Sequence, residues 1–405
     1  MSHKTPEQIK RRLYAIAGVV ALGTAAMVGE GIHGAVTRAH NSDAAKGWPD
    51  ANTTAPANPD APYLAKPEAP KPVETHKGME KSTDPGLKAI AGVEKASGYG
   101  FKENMLFTGM PTCPEEAQKQ SAEMAERLKK YAEYGISPLV VMEPTAHNGK
   151  DNLNLATMTD AKHIDGFRQN MNDYFSGLHN AGITDEQMGA WVPLPEPNIP
   201  EWAGGNTDPD TFRRNFTEIA QAAKSHFRGA EVSMMLDSAT YQSGSWDSPS
   251  YDAESLMRYT SGIPDGLVDS FGYQGLPFNK QDDPSVFLNA NTAAQVAQSL
   301  NTKKVWLNIG SFGSYTDVAT GQRVANTTEA AGDDRANMLM GEVQQAIALK
   351  QGGFDASVNI YAAPAPAGSA DPDWAYNTPK DKELLNHTLN VASAAAIPAS
   401  LYMVG

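Results

Sequence analysis

From about Gly100 onward, short apolar runs alternate with longer stretches in which apolar residues recur at helical spacing. Pro138-Leu139-Val140-Val141-Met142, Val232 to Leu236, Leu267 to Phe271, Val305 to Ile309 and Ala356 to Tyr361 are mostly apolar. Runs of that length without polar alternation predict strands buried on both faces. Met105-Leu106-Phe107 and Gly189 to Leu194 are further candidates, although Pro193 is awkward inside a parallel ladder because it has no N–H to donate. Pro114 to Tyr134, Ala161 to Ala181, Ala293 to Leu300, Asp334 to Lys350 and Lys382 to Ala395 read as helices, and Asp208-Pro209 opens another carrying Phe212, Phe216 and Ile219. Gly135 and Gly182 stop two of them. Strands and helices in this alternation predict a parallel sheet covered by helices, and about eight such units form a (β/α)8 TIM barrel with its reactive end at the strand C-termini. The first unit is missing from the pattern, since Leu87 to Phe101 holds no convincing strand and helix. A doubly wound open sheet is the alternative, but no glycine-rich phosphate loop follows any strand.

Ahead of this region the pattern changes twice. Lys10, Arg11 and Arg12 precede an apolar run from Leu13 to Val28, the arrangement of a cleaved signal peptide or of a signal anchor with its N-terminus inside. From Asn41 to about Lys88, Pro, Ala, Asp, Glu and Lys dominate, as in Lys66-Pro67-Glu68-Ala69-Pro70-Lys71-Pro72. Such a segment lacks the apolar residues for a core and predicts an extended, partly polyproline-II linker. The expected organisation is a membrane segment over 1–40, a linker over 41–90 and a barrel over 91–405, with the barrel anchored to a membrane and facing outside the cell, or secreted.

Composition narrows the partners. A formal charge of -14 argues against nucleic acid, because phosphate binding needs a basic surface. The one cysteine, Cys113, allows no intrachain disulfide, and the nine histidines include no HExxH and no pair at ligand spacing, so no metal site is expected.

The residues just past the strands carry the candidate chemistry. Glu143 follows the strand at Val140, Glu196 the strand at Trp191 and Asp237 the strand at Met235. Cleaving a glycoside requires a proton donor on the leaving oxygen and a second carboxylate at the anomeric carbon. Carboxylates at one barrel mouth, with Trp202, Tyr241, Trp246, Tyr273 and Trp374 as aromatic platforms, suit a polysaccharide or oligosaccharide. Hydrolysis of that kind needs water and carboxylates, so no cofactor is implied.

Over most of Phe101 to Asn390 the chain resembles glycoside hydrolase family 26, the β-mannanase-type family of (β/α)8 glycosidases. The resemblance rests on Pro138-Leu139-Val140-Val141-Met142-Glu143-Pro144, on Pro195-Glu196-Pro197-Asn198, on Val268-Asp269-Ser270-Phe271-Gly272 as the family's sixth strand, and on Asp371-Pro372-Asp373-Trp374. It implies that Glu196 is the acid/base and that Asn198 binds a sugar hydroxyl beside the cleaved bond. It also implies departures: Pro195 stands where the family has His, Ile199 where it has Gly, and Ser311, after what would be the seventh strand, where it has the nucleophilic Glu. A serine hydroxyl forms no glycosyl-carboxylate ester. Three readings stay open: a β-mannan- or β-glucan-type hydrolase whose second carboxylate is Asp237 or Glu143, an inactive barrel that binds surface glycans, or a likeness of fold alone. The topology is testable now. Protease treatment of intact cells is expected to release a soluble fragment beginning within 41–90, and a barrel protected from protease would place it on the other side of the membrane.

Overall fold

The structure is a computed structural model that describes residues 74–146, 159–198, 208–237, 253–274, 289–310, 314–316, 323–325, 334–362, 376 and 379–402. The apolar run at 13–28 and the proline-rich segment up to residue 73 lie outside the described residues. Among the described residues no helix is long and apolar enough to cross a membrane.

Eight parallel strands close into a barrel: β1 (Glu103–Met110), β2 (Ser137–Ala146), β3 (Ala190–Pro193), β4 (Glu231–Asp237), β5 (Ser270–Gln274), β6 (Lys304–Ile309), β7 (Asp355–Tyr361) and β8 (Ala399–Tyr402). Each pairs with the next in chain order, and β8 returns to β1 with Leu401 opposite Asn104. The helices are α1 (Pro85–Ser97), α2 (Pro114–Glu133), α3 (Ile164–Asn180), α4 (Pro209–His226), α5 (Ala253–Thr260), α6 (Ala290–Ser299), α7 (Asp334–Gln351) and α8 (Pro379–Ala394), beside a single helical turn at Asp185–Met188. A short antiparallel hairpin pairs Ser314–Thr316 with Arg323–Ala325 after β6.

The order is therefore helix before strand, and the strand missing from the sequence pattern is the C-terminal one. Ala399-Ser400-Leu401-Tyr402 is too short for its apolar content to stand out. The folded body also begins before the expected boundary at 91. Asp84 caps α1 by accepting from the N–H groups of Gly86 and Leu87, Pro85 opens the helix, and Gly98 ends it at φ 71. Met79, Leu87 and Ile90 are buried, and Arg127 of α2 ion-pairs Asp84 at 2.9 Å. The strand expected at Leu267 to Phe271 starts three residues later, at Ser270. Pro193 proves harmless as the last residue of β3.

Alternation along the strands separates two cores. Outward residues pack under the helices: Trp191 meets Tyr174 and Phe175 edge-on, at 5.9 and 5.0 Å between ring centroids, and donates its indole N–H to the Met188 carbonyl. Inward residues, among them Met105, Leu139, Val141, Val192 and Met235, fill the lumen around Trp306. The Trp306 indole donates to Ser233 Oγ at 2.7 Å. Its ring lies where a side chain on Gly272 would go, since a Cβ there would sit 2.1 Å from Trp306 Cζ2. Gly272→Ala is expected to destabilise the fold by ~1–3 kcal/mol through overpacking, read from denaturant unfolding. In a Trp306→Leu background the same change is expected to cost much less; an equal cost in both would place the strain elsewhere.

Candidate active site

At the C-terminal end of the barrel the inward positions turn polar. Asp237 continues the lumen face of β4 after Ser233 and Met235, and Glu143 that of β2 after Val141. Strand pairing then sets a row of direct neighbours: Asp237 beside Gln274, Gln274 beside Asn308, Asn308 beside Asn359, and Asn359 beside Ser400. All five are buried.

Glu196 reaches this row from the loop after β3. Leu194 and Glu196 flank Pro195 with φ values of 53° and 50°, the left-handed region that residues with a Cβ avoid. Such conformations cost on the order of 1–3 kcal/mol each and persist only where surrounding contacts enforce them. Here the Leu194 N–H donates to the Met142 carbonyl of β2 at 2.9 Å, and the Glu196 N–H to the Met235 carbonyl of β4 at 3.0 Å. Asn198 completes the stitching. Its Nδ2 donates to the Asp237 carbonyl at 2.8 Å and its Oδ1 accepts the Asp237 N–H at 3.2 Å. The loop is thus pinned to the strands on both sides, which turns the Glu196 carboxyl inward, where it is 3% exposed.

The Glu196 and Asp237 carboxyls are hydrogen-bonded to each other. Gln274 serves both: its Nε2 donates to Glu196 Oε1 and, at 3.4 Å, to Asp237 Oδ2. Burial holds the Glu196 carboxyl well above the usual carboxylate range, and the charge of Asp237, the hydrogen bond to it and the charge of Glu143 push the same way. Burial also pushes Glu143 up to about 8. Both burial and the neighbouring acids therefore favour the protonated form of Glu196, as expected of two carboxyls that sit side by side away from water.

The structure thus brings Glu143, Glu196 and Asp237 together at the C-terminal ends of three consecutive strands, with Asn198 serving as a backbone clasp beside them. Tyr273 is elsewhere. It is one residue out of phase with lumen-facing Gln274, so its ring lies in the buried layer under the helices, stacked on Phe271 at 5.9 Å, and is no platform at the mouth. Trp202, Tyr241, Trp246, Ser311 and Trp374 lie outside the described residues. Next to Ser311, the Gly310 N–H donates to Glu342 Oε2 at 2.9 Å, a carboxyl that burial holds far above its usual range. Sequence reasoning missed Gln274, Asn308, Asn359 and Ser400. The available signal was a polar residue inside an otherwise apolar strand, as in Trp306-Leu307-Asn308-Ile309 and Val358-Asn359-Ile360. Among the described residues no group of His, Cys, Asp and Glu is placed to hold a metal ion.

No family model matches the chain, and no curated protein matches it in sequence. Solved structures do share its fold. An endo-1,4-β-mannanase from Rhizomucor miehei superposes with a TM-score of 0.50 at 12% identity over 80% of this chain and 94% of that one. A β-glucosidase from Thermotoga maritima bound to castanospermine gives 0.49 at 12% identity over 77% and 87%. An endo-1,4-β-D-mannanase from Thermotoga petrophila RKU-1 gives 0.44 at 11% identity over 77% and 97%. At these identities the likeness is one of fold.

The raised carboxyls fix a pH dependence. Glu143 ionises near 8 in the folded chain and near its ordinary 4.5 in the unfolded one. Folding therefore tightens its hold on a proton, and the stability this contributes is full below 4.5 and lost as pH rises through about 8. Glu196 and Glu342 act in the same direction. The denaturant midpoint is expected to fall between pH 5 and pH 9, and to fall less in Glu143→Gln and Glu196→Gln. A Glu143→Gln protein as pH-sensitive as its parent would assign the titration to another group.

Proposed function

We propose that the chain acts outside the cell on a β-linked polysaccharide of the mannan or glucan type, with Glu196 as the proton donor to the glycosidic oxygen. The observation that carries this reading is the buried Glu196 carboxyl at the C-terminal mouth of the barrel, raised well above the usual carboxylate range and joined through Gln274 to a second acid. The bond between two sugars breaks when its oxygen receives a proton, and an acid that stays protonated at neutral pH supplies one. Asp237 is then the proton partner of Glu196 and not the group across the bond. Glu143, protonated up to about pH 8, is the third acid of the mouth.

The substrate class is supported by the shared fold with the Rhizomucor miehei mannanase. The finer resemblance to glycoside hydrolase family 26 requires the strands to be counted around the barrel and not along the chain. In chain order β5 and β6 are fifth and sixth, one fewer than that resemblance implies; counted around the barrel from β8 they become sixth and seventh, and Ser311 follows the seventh. Binding without turnover is the second reading, favoured by the sharing of the Gln274 amide between Glu196 and Asp237, which makes the two acids neighbours and not groups on opposite sides of a substrate.

One experiment separates them. Purified parent and Glu196→Gln proteins are tested for reducing-sugar release from mannan and β-glucan and, by calorimetry, for binding of the same oligosaccharides. Hydrolysis that drops ~10²–10⁴-fold in Glu196→Gln with binding retained supports the proton-donor role. Binding with no turnover in the parent makes the barrel a glycan receptor, and neither activity on any β-glycan removes the reading.

A further inference from the structure

The amide row behind the acid pair has a direction. Gln274 Nε2 points at the two acids, while its Oε1 accepts from Asn308 Nδ2 at 2.8 Å. Asn308 Oδ1 in turn accepts from Asn359 Nδ2 at 3.3 Å, and Asn359 Oδ1 accepts from the Ser400 hydroxyl. An amide offers hydrogens at one end and lone pairs at the other. Reversing Gln274 would set its carbonyl against the Asp237 carboxylate and its N–H₂ against that of Asn308. Two like ends would then meet at both contacts.

We propose that Gln274 is a positioning residue for the proton donor, and that Asn308, Asn359 and Ser400 hold it in its donating orientation from across the barrel. The inference rests on the reading of Glu196 as that donor. With Oε1 of Glu196 engaged by an amide N–H, Oε1 is the carbonyl oxygen of the acid and the proton sits on Oε2. Gln274 thereby selects which oxygen presents the proton. It also favours the ionised form left after transfer, because a donor gains strength when its acceptor becomes charged. The charged groups facing Glu196 are Asp237 from β4 and Glu143 from β2, and the row reaches it through neutral side chains only.

The test reads the proton directly and does not need turnover. Infrared difference spectra of the folded full-length protein, with Glu196→Gln assigning the band, follow the C=O stretch of protonated Glu196 against pH. In Gln274→Met and Asn308→Leu the band is expected to move to higher frequency, as an acid carbonyl does on losing a donor. Its titration midpoint is expected to rise by about one pH unit, the size of one hydrogen bond to a charged group. Asn359→Leu and the milder Ser400→Ala touch neither acid, yet are expected to move band and midpoint the same way by less. A folded Asn308→Leu or Ser400→Ala protein with parental band and midpoint overturns the relay, even where Glu196→Gln abolishes hydrolysis. Shifts of the expected sign in a parent that cleaves no glycan keep the relay and discard the hydrolase.

Discussion

The lumen of a closed eight-stranded barrel is only wide enough for side chains to fill, so every inward residue must pack against others or bond to them. That constraint orders the whole molecule from one end to the other. In the middle it is met by Trp306, which occupies the place left by the missing side chain of Gly272 and still satisfies its indole N–H on Ser233. At the C-terminal end the inward residues are acids and amides, and burying them without partners would cost several kcal/mol apiece, on the order of 2–7. Strand pairing offers a solution because neighbours in register share a face. Asp237, Gln274, Asn308, Asn359 and Ser400 are such neighbours, and each finds its partner on the next strand.

Acidity at the mouth follows from the same closure. A carboxyl alone in that place would be neutral simply because charge is poorly solvated there. Two carboxyls in contact make a different object. One ionises, and its charge then opposes ionisation of the other, which is how Asp237 reinforces the effect of burial on Glu196. Glu143 has burial alone, which raises it to about 8. Glu143 and Glu196 are thus both raised, and position around the rim gives Glu196 further causes that Glu143 lacks.

Much of this was readable in the sequence, and the failures have separate causes. The long apolar strands, the capped helices and the three strand-end acids are local features, written in consecutive residues. Tyr273 failed as a platform because facing depends on where a strand begins, and β5 starts at Ser270, beyond the apolar residues Leu267 and Val268. Strand β8 failed because four residues carry too little pattern, and α1 because its Gly- and Ala-rich turns show weak periodicity next to a proline-rich segment. The amide row was invisible for a further reason. Asn308 and Asn359 are 51 positions apart, and only pairing in register makes them neighbours.

In the strained loop after β3 a motif names the residues but not the geometry that holds them. Leu194 and Glu196, on either side of Pro195, both have positive φ, which nothing in the local sequence calls for. The loop's conformation is imposed from outside: β2 and β4 each accept one of its N–H groups, and Asn198 clasps the Asp237 backbone with both ends of its amide. The clasp matters because Asp237 is also the acid that Glu196 touches. One loop thereby carries Glu196 and grips the backbone of Asp237, so the relative position of the two carboxyls is set locally, through the two Asn198 hydrogen bonds, instead of across the barrel. Gln274 then needs only to orient the pair. The contact between the acids is thus a product of the β3–β4 junction, while the direction in which the proton faces is a product of the five strands from β4 to β8.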